Sequence, residues 1–389
     1  MMSNIVDYAL LNANKDFNTL PFSKIDALIF SQLAYLNFDG IVPNLKSLAH
    51  GVTLSHIAEH ENYENLFPLE RTAELNKKLL NAVAYSKRYG KIKLDFYQNV
   101  LDDEKDTQFS AVTFIINNDL AVIAFRGTDA TFTGWKENCH MLYDDKPVGS
   151  QVLSVPYIDK VAHKVRGKII LTGHSKGGNL AIYAGTMCHD KTRTAIKKIY
   201  SFDSPGFTES FINSPIYKKT ERKIEKFVPQ ESLVGMMLNN SKKFYVVQCD
   251  GVGVNQHSPY MWLIEDNDFI IIDKITTKSV VFDGTFNEWI QKFEPEQREL
   301  FIETVFNIIE KTNEQNATTF KQWGDNLKDN TDILLDALND LDFETKAFLL
   351  KVFGKLFTSA TDNMVATQKQ KFKSQLKRIP RLKNAENKE

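Results

Sequence analysis

The chain has 389 residues, of which 42% are hydrophobic and 25% charged, a composition typical of a soluble globular protein with one or two domains. Its formal net charge of −1 gives no overall field that would favour nucleic acid as a partner. The three cysteines are widely spaced, and no C-x-x-C pair or histidine cluster is present. This pattern argues against a disulfide framework and a structural zinc site, and we expect neither a metal nor a cofactor.

The N-terminal residues have no basic segment followed by an apolar one, so no secretory signal is predicted. No window approaches 18 uninterrupted apolar residues, and no transmembrane helix is expected. The sequence therefore predicts a cytoplasmic protein.

The predicted elements begin with helices and continue with alternating strands and helices. Apolar stripes at helical spacing occupy residues 21–35 and 70–89. Asn117-Asn118 separates two apolar runs and predicts a hairpin. Strands are predicted at 92–97, 109–116, 119–125, 168–171, 198–203, 222–228 and 243–248. This order is typical of an α/β fold with a largely parallel sheet and an antiparallel hairpin near its start.

From residue 287 the pattern is helical to the end of the chain. We therefore predict a first domain at 1–286 and a helical C-terminal extension at 287–389. Its last twenty residues are rich in lysine and arginine. Such a basic tail after an amphipathic helix can touch anionic lipid surfaces, or it can simply be a solvated end of the chain.

The most informative motif is Gly173-His174-Ser175-Lys176-Gly177, which lies between an apolar run and an amphipathic helical pattern. G-x-S-x-G in this setting places a serine on a strained strand-to-helix turn, where glycines two residues away on either side avoid a clash. A glycine-rich turn can also serve packing alone. The apolar segments on both sides favour a nucleophilic Ser175.

A catalytic serine needs a base and a group that orients the base. Two histidines follow Ser175. His189 lies far along the helix that begins at Ser175, whereas His257 lies in a glycine-rich loop just after a predicted strand. Such loops carry the chemistry of parallel sheets, and elimination therefore favours His257.

Two acidic residues between Ser175 and His257 follow predicted strands. Asp203 ends one strand before a proline, and Glu231 follows the next strand. Chain order alone does not choose between them, because Asp203 can be a turn residue and Glu231 an exposed glutamate.

An oxyanion hole needs two aligned donors. The backbone N–H of Lys176, directly after the nucleophile, is the first candidate. Thr128, in the loop after the predicted strand at 119–125, offers both its N–H and its hydroxyl as the second. A simple strand-to-loop turn at Gly127 is the alternative.

Residues 125–129 together with 173–177 resemble the class 3 lipase pattern of α/β hydrolases. The chain resembles most closely the bacterial Mbeg1-like family, an offshoot of that group, through residues 21–35, 124–129, 171–180, 202–206, 228–237 and 256–262. The resemblance implies an α/β-hydrolase fold. It also implies that Asp203 falls on a non-triad position and that Glu231 is the favoured acid, although the family pattern would have aspartate there.

Two further features depend on this resemblance. Lys176 stands where lipases have a small or apolar residue, so its side chain either favours an anionic substrate or, as we expect, points to solvent. Residues 129–167 occupy the position of a lipase lid, and a helix packed permanently over the sheet is the alternative.

These features predict a serine hydrolase that cleaves carboxylic esters, with a small acyl ester or a lipid such as a lysophospholipid as substrate. Thioester or peptide hydrolysis could use the same residues. A second hypothesis is a hydrolase-fold binding protein with little turnover, whose helical C-terminus recruits a partner.

Overall fold

A computed structural model of the chain describes residues 3–69, 72–129, 131–143, 146–240, 243–276, 303 and 306. The residues up to 276 belong to one compact unit. The predicted C-terminal extension lies outside the described residues, apart from positions 303 and 306. The basic tail lies outside them entirely, and both the domain boundary and lipid contact by the tail stay predictions.

Within the described residues, nine strands form one sheet in the order β1-β2-β3-β4-β5-β6-β7-β8-β11, and β9 pairs with β10 separately. Strands β4 to β8 are parallel to one another, and the strands at both edges pair antiparallel. The strands are β1 Val52–Thr53, β2 Lys93–Asp102, β3 Thr107–Asn117, β4 Leu120–Phe125, β5 Lys168–His174, β6 Ile196–Phe202, β7 Ile224–Pro229, β8 Tyr245–Val247, β9 Ile264–Glu265, β10 Asp268–Phe269 and β11 Ile271–Ile272. The predicted α/β class with a parallel centre is confirmed.

The predicted hairpin near the start of the sheet is also confirmed. β3 and β4 pair antiparallel, with Asn117 opposite Leu120. The side-chain oxygen of Asn117 accepts a hydrogen bond from the backbone N–H of Asp119 at 2.8 Å. An asparagine that bonds the backbone two residues later favours a tight turn, which explains the signal in the sequence.

Helices cover both faces of the sheet because its central strands are apolar on both faces. In β4, Val122 and Ala124 pack with the N-terminal helices. Ile123 and Phe125 pack on the other face, with the helices Gly149–Lys164 and Lys176–Met187. Alternation along a strand sends neighbouring side chains to opposite faces. The helices are α1 Ile5–Leu11, α2 Lys24–Leu33, α3 Leu54–Ala58, α4 Ala73–Ala84, α5 Phe132–Tyr143, α6 Gly149–Lys164, α7 Lys176–Met187, α8 Asp190–Ala195, α9 Glu209–Asn213 and α10 Pro215–Glu221.

A buried ion pair anchors α2 in the N-terminal layer. Asp26 accepts two hydrogen bonds from the Arg88 guanidinium, at 3.0 and 2.7 Å, and one from the Tyr89 hydroxyl at 2.7 Å. Both charged side chains are fully buried. A bidentate pair with a third donor compensates the cost of burying the two charges.

The three cysteines, Cys139, Cys188 and Cys249, are unpaired. No helix among the described residues has an apolar stretch long enough to cross a bilayer.

Candidate active site

Ser175 lies on a sharp turn between β5 and α7. Its φ of 56° is in the left-handed region, which a non-glycine residue adopts only under local constraint. A Cβ on Gly173 would lie 2.2 Å from the carbonyl oxygen of Gly177, and a Cβ on Gly177 would lie 2.1 Å from that of Phe125. Both glycines are therefore required, as the motif predicts. We call residues 173–177 the serine turn.

His257 ends a short 3-10 segment, Gly253–His257, that follows β8. Its Nδ1 lies 2.6 Å from Oδ2 of Asp203. The imidazole is about one quarter exposed, whereas the carboxylate is buried. Because Nδ1 faces the carboxylate, Nε2 is the ring nitrogen left to exchange a proton with another group.

Asp203 directly follows β6, and its φ of 42° turns the chain sharply at the carboxyl end of the strand. Its second oxygen, Oδ1, accepts hydrogen bonds from the Ser232 hydroxyl at 2.5 Å and from the backbone N–H of Gly235 at 3.0 Å. Burial favours the neutral carboxyl, but the His257 and Ser232 hydrogen bonds and the charge of His257 outweigh it. The net effect is a pKa of Asp203 below its usual range.

The prediction that Glu231 orients His257 is wrong in this structure. The Glu231 carboxylate accepts a hydrogen bond from the backbone N–H of Gly253, and its own N–H donates to the side chain of Gln256 at 2.9 Å. Glu231 therefore holds the loop that carries His257 and does not contact the imidazole. Asp203, the alternative acid, occupies that position.

His174, in the serine turn, contacts the backbone of His257. Its Nε2 lies 2.7 Å from the carbonyl oxygen of His257, and the Tyr35 hydroxyl lies 3.1 Å from its Nδ1. Burial, followed by the nearby His257, lowers the pKa of His174 to about 3, so the ring is neutral at ordinary pH. Because a carbonyl only accepts, the His174 proton is on Nε2 and the Tyr35 hydroxyl donates to Nδ1.

The loop after β4 lies directly against the serine turn. A Cβ on Gly127 would lie 1.9 Å from the Tyr35 hydroxyl and 2.7 Å from the carbonyl oxygen of His174. The next residue, Thr128, is half-buried, and its hydroxyl accepts a hydrogen bond from the Asn138 side chain at 2.6 Å. The first N–H groups of α7, beginning with Lys176, have no acceptor within the helix. Both predicted oxyanion donors are thus on neighbouring segments.

The Lys176 side chain does not point to solvent, so that prediction is wrong. It is buried, and its Nζ donates to Oε2 of Glu137 at 2.7 Å and to the carbonyl and side-chain oxygens of Gln108 at 2.7 and 2.8 Å. The lysine is therefore not available to an anionic substrate.

The described part of the predicted lid segment consists of α5 and α6. Tyr157 and Ile158 of α6 are buried in the core, and the Tyr157 hydroxyl donates to the carbonyl oxygen of Phe96 at 2.9 Å. Glu137 of α5 is also buried. These contacts favour a layer packed on the sheet over a mobile lid.

A cavity of about 250 Å³ lies along α7, beginning one turn after Ser175. Aromatic and methionine side chains form much of its wall. Neither Ser175 nor His257 is among its lining residues, which are Met141, Lys146, Pro147, Gln151, Asn179, Tyr183, Met187, Gly206, Phe207, Thr208 and Phe211.

Several residues of the site have no signal in the sequence. Ser232 and Gly235 form the cradle of the Asp203 carboxylate, and Tyr35 contacts His174 from 139 positions away. Glu137 reaches the serine turn from α5. The five residues of the serine motif include His174, but its contacts with distant residues are not predictable from that motif.

The parallel strands β4 to β8, the serine turn after β5 and the histidine loop after β8 together form an α/β-hydrolase fold. Among solved structures, a fungal lipase in complex with an inhibitor is similar, with 12% identity over 58% of this chain and 77% of that one and a TM-score of 0.37. Lipase II from Rhizopus niveus has 15% identity over 60% and 92%, with a TM-score of 0.34. A Rhizomucor miehei lipase variant in complex with its propeptide has 16% identity over 60% and 77%, with a TM-score of 0.36.

No match was found among the curated proteins. The family model described as Mbeg1-like matches residues 83–307, more than half of the sequence and all of the strands β2 to β8. The matched range also includes Ser175, Asp203 and His257. The chain belongs to the Mbeg1-like family.

Proposed function

We propose that this protein is a serine hydrolase of carboxylic esters, with Ser175 as nucleophile, His257 as general base and acid, and Asp203 as the group that orients His257. The observation that carries the proposal is the 2.6 Å contact between His257 Nδ1 and the buried Asp203 carboxylate, beside a serine held at a positive φ. This combination leaves an imidazole nitrogen and a strained serine on the same edge of the sheet.

In the proposed reaction, the Ser175 Oγ attacks the ester carbonyl carbon while its proton passes to Nε2 of His257. The tetrahedral intermediate collapses, and the alcohol leaves with that proton. Water then attacks the acyl-enzyme, with His257 again taking and returning a proton, and the carboxylic acid leaves. Asp203 stays ionised throughout and stabilises the imidazolium.

Thr128 and the backbone N–H of Lys176 are the proposed donors to the oxyanion. The Asn138 amide nitrogen donates to the Thr128 hydroxyl oxygen, and in this arrangement the hydroxyl proton remains for a further acceptor. Each such donor contributes about 10²–10³ in rate.

The proposed substrate is an acyl ester or a lipid. The aromatic and methionine wall of the cavity along α7 suits an acyl chain better than a charged group. The reduced cysteines are compatible with the predicted cytoplasmic location.

A second function, a hydrolase-fold binding protein with little turnover, is favoured by one observation. The Ser175 hydroxyl makes no hydrogen bond with any described residue, His257 included. Catalytic hydrogen bonds are often loose in ligand-free enzymes and tighten when substrate binds, so we place ester hydrolysis first.

The test is the hydrolysis of nitrophenyl acetate, butyrate, octanoate and palmitate by the purified chain, beside Ser175→Ala and His257→Ala. We expect both variants to lose at least about 10³-fold in kcat, because each removes a member of the proton-transfer system. Ser47→Ala, which alters a half-buried serine far from the turn in sequence, is the matched control. Absence of hydrolysis by folded wild type favours the binding function, and equal rates in wild type and Ser175→Ala exclude this serine.

A further inference from the structure

The residue after the nucleophile is a buried lysine with a complete set of partners. Lys176 donates all three of its ammonium protons, one to Glu137 and two to Gln108 at the start of β3. Only 1% of each charged side chain is exposed. A charge-assisted network of this kind fixes the position of the lysine, because each of its three protons has its own acceptor.

Glu137 joins this lysine to two other segments. Its Oε2 accepts from the backbone N–H of Gln108 at 3.1 Å as well as from Lys176, and its Oε1 accepts from the backbone N–H of Ser150 at 2.7 Å. Burial lowers the pKa of Lys176, and the adjacent Glu137 carboxylate opposes that effect. The carboxylate thus ties β3 and the first turn of α6 to the serine turn.

The neighbouring residue on α5 holds the other proposed oxyanion donor. Asn138 donates to the Thr128 hydroxyl at 2.6 Å. Two consecutive residues, Glu137 and Asn138, therefore contact the two residues whose donors must converge on one oxygen atom. A shift of α5 would move both contacts together.

We propose that Lys176 and Glu137 form a positioning pair that fixes α5 against the serine turn and thereby sets the separation of the Thr128 and Lys176 N–H donors. This inference rests on the proposed hydrolase function and adds an account of how its oxyanion hole is held. The Lys176 and Glu137 side chains touch no reacting atom. They act through Asn138, Thr128 and the start of α7.

The test compares kcat and KM for ester hydrolysis in Glu137→Gln and Lys176→Met, both of which remove one charge at similar volume. We expect kcat to fall by about 10–100-fold with KM changed less than about twofold, because misplaced oxyanion donors weaken transition-state binding and not substrate binding. The double variant Lys176→Met/Glu137→Gln buries no lone charge. We expect the double variant to recover the wild-type melting temperature but not the wild-type kcat. If a single variant fails to fold, the kcat of the double variant is measured in its place.

Two controls separate positioning from loss of stability. Asp26→Asn breaks the equally buried Asp26–Arg88 pair in the N-terminal layer, and we expect a lower melting temperature with an unchanged kcat. In a Thr128→Val background, we expect Glu137→Gln to lower kcat by less than about threefold further, because both changes damage the same donor arrangement.

The inference is overturned if folded Glu137→Gln and Lys176→Met keep kcat within about twofold of wild type. It is also overturned if the loss of kcat in the Thr128→Val/Glu137→Gln double variant equals the product of the two single losses. Wild type with no hydrolysis would instead refute the proposed function, and this inference with it. Wild-type hydrolysis that depends on Ser175 but not on Glu137 would refute the inference alone.

Discussion

Oδ2 of Asp203 lies 2.6 Å from Nδ1 of His257, and Oδ1 of the same carboxylate is held by the Ser232 hydroxyl and the Gly235 N–H. The carboxylate is therefore fixed at both oxygens, and it determines which nitrogen of His257 carries the proton. A Cβ on Gly235 would lie 2.4 Å from Oδ1, so this cradle also requires the glycine.

Asp203→Asn should reduce kcat for ester hydrolysis by about 10³–10⁴-fold, because an amide can stabilise the wrong tautomer of His257 and cannot stabilise its imidazolium. Glu231→Gln is the matched comparison, since it neutralises the acid that holds only the backbone of the loop. We expect Glu231→Gln to reduce kcat by less than about tenfold. A larger loss in Glu231→Gln than in Asp203→Asn would reverse the assignment.

Tyr35→Phe should lower kcat by about tenfold, because it removes the donor to His174 Nδ1 and leaves a buried acceptor unpaired. His174 would then be free to change tautomer and lose its contact with the carbonyl oxygen of His257. Tyr97→Phe is the control, since this tyrosine is also buried but its hydroxyl contacts Asn37. Equal kinetics for the two variants would show that the Tyr35–His174 contact does not position His257.

The buried ammonium of Lys226 contacts the backbone of the segments that form the Asp203 cradle. Its Nζ donates to the carbonyl oxygens of Ser204 and Gly235 at 2.6 and 2.9 Å and to the side chain of Asn240. Burial lowers the pKa of Lys226 to about 7, although the attraction of Asp203 opposes this effect. The unfolded chain keeps this proton up to about pH 10.

Lys226 should therefore contribute a rise in the free energy of unfolding with pH between about 7 and 10, of up to about 1.4 kcal/mol per pH unit. The sign follows because the unfolded state binds more protons than the folded state in that window. Lys226→Met should lower the slope of the free energy of unfolding against pH, measured by urea denaturation at pH 7, 8, 9 and 10, by the contribution of this one group. Lys91→Met, at an exposed lysine, should keep the wild-type slope, and an unchanged slope in Lys226→Met would contradict the assignment.

The local structures that the sequence predicts correctly depend on short-range spacing. The serine turn needs glycines two residues before and after Ser175, and the β3–β4 hairpin needs asparagine at 117. Both constraints act within a few residues, so both leave a pattern in the chain. His257 could also be selected as the candidate base, because only two histidines follow Ser175 in the chain.

The choice between Asp203 and Glu231 could not be made in the same way. They follow β6 and β7, neighbouring parallel strands whose carboxyl ends meet at one edge of the sheet. What separates them is the positive φ of Asp203 and its cradle from Ser232 and Gly235. These features depend on the folded loops, and the family resemblance favoured Glu231, which does not contact the His257 imidazole in the structure.

The burial of Lys176 has the same origin. A lysine in the first turn of a helix is usually solvated. Here α5, which begins more than forty residues earlier in the chain, covers it and supplies Glu137. No pattern around Lys176 indicates that partner.

The most direct test of an activated Ser175 is intact-mass analysis after reaction with a fluorophosphonate, followed by peptide mapping. We predict one adduct per chain on Ser175, absent from Ser175→Ala, strongly slowed in His257→Ala and Asp203→Asn, and slowed by less than about tenfold in Glu231→Gln. Folded wild type that takes no adduct with or without detergent, or takes it on another residue, would contradict the account.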